Sequence, residues 1–288
     1  MRVVAEKLNF YYDKKSKNRV PALSDATLTV PKGSFFGIIG HTGSGKSTFI
    51  QHIDALIPVQ EGKLLVGDYD LSKGKKSDKK MLRELRSKTG LVFQYPEYQL
   101  FAETVFDDVA FGYKNYRKDA SAEQVKAAVY GALSLVGLGA DIAGRSPFEL
   151  SGGQKRRVAI AGVLVTEPEI LILDEPVAGL DPLGKRELMR LLHSLHETSV
   201  ETIVIVSHDM DAVAENCTDI AVFSEGKVVM TGKPKEIFSR EEELSELRLG
   251  VPVTAKLAAD LKKAGVETDT DFTVGDFVSK VAKIYKNA

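Results

Sequence analysis

The feature that most restricts this chain is a nine-residue turn, Gly40-His41-Thr42-Gly43-Ser44-Gly45-Lys46-Ser47-Thr48. It stands between an apolar stretch at 35–39 and a helical pattern that runs to Pro58. A run that is apolar at every position must be covered on both faces, so 35–39 predicts a strand inside a layered α/β core. The glycines let backbone wrap closely around a ligand, successive N–H groups point inward, and the helix start adds positive potential. A phosphate chain is what such a turn fits. Lys46 is placed to reach the β- and γ-phosphates of a nucleotide, and the Ser47 hydroxyl to ligate Mg²⁺. The turn alone does not separate a kinase from a GTPase or an ATPase.

The same strand-then-helix rhythm continues. Short apolar runs at 91–93, 170–173 and 203–206 are separated by helical stretches, which predicts a parallel sheet. Residues 1–35 read as a strand meander, with 3–8 and 26–30 ahead of the Pro31-Lys32-Gly33 turn. From about 95 to 165 the period is helical, at 123–136 and 154–165, with no strand run between. Beyond Arg240 two amphipathic helices are expected. One covers 252–264; the other starts near Thr273 and buries Phe277, Val278, Val281, Ile284 and Tyr285. The expected division is a nucleotide-binding unit at 1–240, its helical part at about 95–165, and a C-terminal helical extension at 241–288.

Composition narrows the function classes. With 43% hydrophobic residues among 288, the chain can bury a sizeable core and is not intrinsically disordered. Its 39 basic and 40 acidic residues leave a net charge of −1, so no global field draws it to nucleic acid or anionic lipid. The single cysteine, Cys217, excludes an internal disulfide. No apolar run approaches the ~20 residues of a membrane helix, and the start lacks the apolar core of a secretory signal. A soluble, cytoplasmic chain that cannot cross a bilayer by itself is the expectation. One local exception is 73–88, where eight basic residues face only Asp78 and Glu84. Without interleaved aromatics this reads as a solvated face, or as a neighbour of membrane headgroups.

Two further constellations carry chemistry. The apolar run ending Leu173-Asp174-Glu175-Pro176 finishes in adjacent carboxylates, which burial would penalise without a partner. Asp174 is placed to hold Mg²⁺ through its water ligands, and Glu175 to polarise or deprotonate an attacking water. Leu150-Ser151-Gly152-Gly153-Gln154 then opens a helix with small residues whose N–H groups can face an anion. A chain with one phosphate turn has no evident need of a second. The economical reading is that Ser151, Gly152, Gly153 and Gln154 serve a nucleotide held by a neighbouring subunit.

At these residues the sequence resembles the ATP-binding cassette (ABC) ATPases. Gly40 to Thr48 looks like their Walker A loop, Leu150 to Gln154 matches their signature, and Leu171 to Glu175 looks like their Walker B. Gln94, 48 residues after Lys46, matches the Q-loop glutamine, a sensor of Mg²⁺ and water. Ala178-Gly179-Leu180-Asp181 resembles the D-loop, and His208 the switch histidine. Tyr12 is the aromatic placed to stack on adenine, with Tyr11 and Phe10 as rivals. The resemblance implies an α/β P-loop NTPase core with an antiparallel β subdomain, a helical insertion and the C-terminal extension. It also implies ATP and Mg²⁺ as ligands, with Glu175, His208 and Gln94 catalytic and with Ser47, Gln94 and Asp174 at the metal.

Finer stretches resemble the A-type ATPases of energy-coupling factor (ECF) transporters, and most of all the second A-type subunit. These are Gly40-His41-Thr42, Gln94-Tyr95-Pro96-Glu97-Tyr98-Gln99-Leu100-Phe101, Asp108-Val109-Ala110-Phe111-Gly112 and Pro147-Phe148-Glu149. Val177 departs from the usual threonine after Asp-Glu-Pro. The resemblance implies a heterodimer with a second ATPase, a membrane T component, and through it an S component for a vitamin or transition-metal ion. The chain would then lie peripherally on the cytoplasmic side of the cell membrane. Tyr95, Tyr98, Leu100 and Phe101 form a cluster suited to receive a partner's helix. The rival readings are the ATPase of another ABC importer, or a non-transport ABC protein acting on nucleic acid or ribosomes. Against the latter, only 127 residues separate Lys46 from Asp174, with no heptads between, and the chain carries one cassette.

Overall fold

The computed structural model describes residues 1–12 and 20–287. In chain order, β1 (Val3–Tyr11), β2 (Pro21–Val30) and β3 (Phe35–Gly40) lead into α1 (Lys46–Ile53). Next come β4 (Glu61–Val66), β5 (Tyr69–Asp70), α2 (Lys79–Lys88) and β6 (Thr89–Val92). Three helices follow with no strand between them: α3 (Val105–Tyr116), α4 (Ala122–Leu135) and α5 (Gly152–Leu164). The chain then alternates through β7 (Ile170–Asp174), α6 (Pro182–Thr198), β8 (Thr202–Val206), α7 (Met210–Asn216), β9 (Asp219–Ser224) and β10 (Lys227–Gly232). Four helices close it: α8 (Pro234–Phe238), α9 (Glu241–Glu246), α10 (Val253–Lys263) and α11 (Val274–Asn287).

The main sheet runs β10-β9-β3-β8-β7-β6, parallel except for the β9–β10 hairpin at one edge. A second, antiparallel sheet, β2-β1-β4-β5, lies beside it. The apolar residues of the central strands split between two cores. Phe35, Ile39, Leu171, Leu173, Ile203 and Ile205 join the core that includes α3, α4 and α5. Phe36, Ile38, Ile170, Ile172, Val204 and Val206 join the core shared with the antiparallel sheet and α1. This period-two partition is why those strands read as continuously apolar. Among the described residues no helix is long and apolar enough to cross a membrane.

Three expectations are corrected here. First, α1 stops at Ile53 rather than at Pro58. Arg86, on α2, donates to the Ala55 carbonyl at 2.6 Å, and Ala55 turns left-handed, so Leu56 and Ile57 leave the helix. Second, α11 does not bury its apolar face in this chain: Val278 is 58% and Tyr285 85% exposed, while Phe277, Val281 and Ile284 are half-buried. Third, Leu100 belongs to the core, whereas Tyr98 and Phe101 remain exposed.

Asp54, at the end of α1, carries a buried carboxylate that accepts a hydrogen bond from the Thr89 hydroxyl. Burial raises its pKa to about 6, although Thr89 and Arg86 pull the other way. A carboxyl whose folded pKa is raised contributes stability below its unfolded value, and that contribution is lost as pH rises through about 6. Asp54→Asn keeps an acceptor for Thr89 and removes the charge. The variant is expected to be more stable than the parent at pH 8, by on the order of 2 kcal/mol. That gain should shrink as pH falls to 5, read from urea unfolding at both values. An equal difference at both pH values would contradict the assignment.

Candidate functional site

Four parallel strands deliver the candidate groups to one edge of the main sheet. The nine-residue turn leaves the end of β3, His208 follows β8, Asp174 ends β7 with Glu175 next, and Gln94 lies just past β6. Since β8 lies between β3 and β7, the turn and the two acids flank its carboxyl end. Ligands of open α/β sheets bind at such carboxyl edges.

The turn packs closely against neighbouring backbone. Gly45, at φ +103°, sits where a Cβ would come within 2.5 Å of the Ala22 carbonyl, so no other residue fits there without moving backbone. A Cβ at Gly40 would lie 2.6 Å from the Ser44 hydroxyl. That hydroxyl is fully buried and has no hydrogen-bond partner, an orphan that points to a ligand. No side chain caps the start of α1 and no acid occupies its first turn, which leaves its first N–H groups for an anion. Lys46 folds its ammonium inward onto the carbonyls of Gly40, at 2.7 Å, and His41, at 2.9 Å. Burial lowers its pKa, while Glu175 and Asp174 oppose the fall. Gly43 is open to solvent, and the His41 ring bonds the Thr42 carbonyl.

At the end of β7, burial raises the pKa of Asp174 against the pull of the neighbouring Ser47 hydroxyl, and Glu175 raises it further while Lys46 opposes. A half-buried acid beside a hydroxyl of the phosphate turn fits Mg²⁺, which is held by one or two protein oxygens plus phosphates and water. No cage of three or more His, Cys, Asp or Glu occurs among the described residues. Glu175 adopts φ +50°. Its N–H donates to the Val206 carbonyl at 2.8 Å, and its Oε2 lies 2.8 Å from His208 Nδ1. Glu175 and His208 are therefore one unit in this structure rather than two separate groups. Gln94 is exposed at the same edge and bonds to none of Ser47, Asp174 or Glu175.

Tyr12 stands at the far side of the turn. Its hydroxyl meets Thr48 Oγ1 at 3.0 Å, and its ring lies edge-on to Phe10 at 5.1 Å, with 66% of the residue exposed. Phe10 is buried and edge-on to His52, which donates from Nδ1 to the Thr48 carbonyl. Of the three candidate aromatics, Tyr12 is the one both free to stack and tied to α1. Tyr12→Ala is expected to weaken ATP binding about tenfold, measured by calorimetry, through loss of a stacking surface. Tyr12→Phe should stay within about threefold. An unchanged affinity in the alanine variant would remove Tyr12 from the site.

Ser151 to Gln154 do not meet this turn. Ser151 caps α5 by accepting from the Gln154 N–H at 3.3 Å, while the Gln154 side chain accepts from the Ser151 N–H at 3.1 Å. Ser151, Gly152 and Gly153 are exposed and Gln154 half-buried. One connection was missed at the level of sequence: Arg156, on the next turn of α5, is buried and forks onto Glu97 at 2.9 and 3.1 Å. It also donates to the carbonyls of Pro176 and Ala178. No local spacing signals a pair 59 positions apart.

The ABC transporter family matches residues 23–178 of this chain. The chain belongs to that family. The "Energy-coupling factor transporter ATP-binding protein EcfA2" of Symbiobacterium thermophilum is 48% identical over 96% of this chain and 93% of its own length. This ABC protein is thus of the ECF A2 type, an ATP hydrolase coupled to transport. A solved structure described as cbiO1 from Clostridium perfringens, part of the ABC transporter complex cbiONQ, has a TM-score of 0.73 at 36% identity, over 88% of this chain and 97% of that one. The ATP-binding cassette MJ0796, solved as a dimer in a post-hydrolysis state with ADP and Pi, has a TM-score of 0.70 at 30% identity, over 81% of this chain and 98% of that one.

Proposed function

We propose that this ABC ATPase is one of two nucleotide-binding subunits that close on ATP between them. The observation that carries this is the separation, within one chain, of the exposed Ser151–Gln154 turn from the phosphate turn of Gly40 to Thr48. A subunit facing the other way supplies the missing half, a reading supported by the dimeric form of the related cassette. Lys46 and the open N–H groups of α1 hold the phosphates, and Ser47, Asp174 and Gln94 hold Mg²⁺. Mg²⁺, when bound, neutralises charge on the β- and γ-phosphates. Glu175 orients and deprotonates the attacking water, and His208 stabilises charge on the γ-phosphate. In this reading residues 1–240 are the nucleotide unit, about 95–165 move with the nucleotide state, and 241–288 form the C-terminal extension.

The partner is a second A-type ATPase, and both sit on a membrane T component that drives an S component. A vitamin or transition-metal ion is the cargo, and the chain lies peripherally at the cytoplasmic face of the cell membrane. Exposed Tyr95, Tyr98 and Phe101, just after Gln94, offer the T component a surface next to the site. Affinity purification of the full chain from its own membranes tests this. The expected result is co-purification of a second ATPase and of small, very apolar membrane subunits. Recovery with ribosomes or nucleic acid instead would overturn it.

A further inference from the structure

The basic run at 73–88 divides in the structure into two sets with different work. Arg83 donates to the Asn115 carbonyl at 2.6 Å, Arg86 to the Ala55 carbonyl at 2.6 Å, and Lys88 pairs with Glu169 and lies over the Tyr69 ring. These three hold elements together. The other five, Lys73, Lys75, Lys76, Lys79 and Lys80, are all exposed, and among the described residues none forms an ion pair. The nearby acids are engaged elsewhere: Asp78 caps α2 through the Lys80 N–H, Glu84 accepts from the Tyr69 hydroxyl, and Asp70 accepts from the Ser72 N–H, its pKa held down first by Ser72 and then by Lys73 and Lys63.

This placement works against local stability. Lys79 and Lys80 stand in the first turn of α2, where the helix dipole is positive and the Asp78 cap is the one acid beside them. Five like charges within eight positions also repel one another, in a chain whose net charge is only −1. The segment that carries the five lysines is also anchored. Through Arg83, α2 is bonded to the C-terminal carbonyls of α3, and α3 carries exposed Phe111, edge-on to exposed Phe101 at 5.0 Å. Arg83 thus ties the helix that follows the lysine turn to the helix that carries part of the aromatic surface assigned above to the membrane partner, and the inference rests on that assignment.

We infer that Lys73, Lys75, Lys76, Lys79 and Lys80 form a contact for the anionic phospholipid headgroups of the bilayer around that partner. Charge complementarity identifies the occupant: a lipid surface presents many phosphates within about one Debye length, ~10 Å at 0.1 M salt, and attracts flexible, unpaired lysines without shaped recognition. Single-stranded nucleic acid would call for aromatics interleaved with the basic residues, and the exposed rings here lie on α3 and the turn before it.

The test is sedimentation of the full chain with protein-free vesicles, either phosphatidylcholine alone or with phosphatidylglycerol added. Because these vesicles contain no T component, the result is independent of the co-purification experiment. Binding to the anionic vesicles is expected to exceed binding to the neutral ones and to fall as salt rises. A variant with all five lysines changed to Gln should lose at least about tenfold, while the five-fold Lys→Arg variant, folded with the same charge, should bind as the parent does. Equal binding by the Gln variant, or loss in the Arg variant, overturns the proposal. So does lysine-dependent binding to duplex DNA that is tighter than binding to the anionic vesicles.

Discussion

Glu175→Gln is expected to bind ATP as the parent does and to release phosphate at least 10²-fold more slowly in the assembled transporter. The substitution is nearly isosteric, and the amide oxygen can still accept from His208 Nδ1, now 2.8 Å from Glu175 Oε2. The left-handed backbone at Glu175 is fixed by its N–H on the Val206 carbonyl and by the Ala178 N–H on its own carbonyl, so the side chain keeps its direction. What disappears is basicity. Lys46, Ser44 and the N–H groups of α1 do not touch this side chain, and affinity should hold within about threefold. Because Glu175 and His208 form one unit, their effects should not add: a Glu175→Gln, His208→Ala double variant is expected to be only slightly slower than the slower single variant. Two independent losses that multiply would mean that the contact seen between them plays no part in turnover. Turnover by Glu175→Gln within tenfold of the parent would remove Glu175 as the base.

The groups of this site were legible in the sequence where the chemistry is local. A glycine turn after a buried strand, and two acids at the end of another, announce themselves within ten residues, and the parallel sheet brings both to one edge. Contacts between distant segments were not legible. The helix pattern at 46–57 runs on past Ile53 because Leu56 and Ile57 keep the period. The helix ends because Ala55 turns left-handed and the Leu56 and Ile57 N–H groups both close back on the Gln51 carbonyl, with Arg86, more than thirty positions away, bonding the Asp54 and Ala55 carbonyls that this turn presents. The apolar stripe of α11 predicts burial that the chain does not supply, because periodicity shows that a face is apolar and not what covers it. Leu100 and Phe101 are neighbours of equal hydrophobicity, yet one fills the core and the other faces solvent. Only the fold around α3 decides which. The C-terminal α9 was missed altogether, because its three acids in the first turn obscure a pattern of six residues.

The largest effect on folding is expected at Arg156. Its guanidinium is buried and spends its donors on Glu97 at 2.9 and 3.1 Å, on the Pro176 carbonyl at 3.0 Å and on the Ala178 carbonyl at 3.1 Å. One side chain thereby joins the helix that starts at the signature turn, the segment after Gln94, and the loop that follows Glu175. Arg156→Met would leave a carboxylate with little solvent access and two carbonyls without donors, at a cost of about 3–5 kcal/mol. Arg156→Lys should recover little of this, since an ammonium cannot fork onto a carboxylate while reaching two carbonyls. Pairing Arg156→Met with Glu97→Leu separates the ion pair from the scaffold. If the two charges mainly answer each other, the double variant will lie well above the sum of the singles, with a coupling of about 2 kcal/mol or more in urea unfolding of the full chain. The carbonyl bonds predict a second readout. Even where Arg156→Lys folds, the loop after Glu175 is no longer tied to α5, so ATP turnover should fall further than ATP affinity. A midpoint of unfolding for Arg156→Met equal to the parent's would show that the network contributes nothing. A turnover defect matched by an equal affinity defect would confine its role to holding the fold.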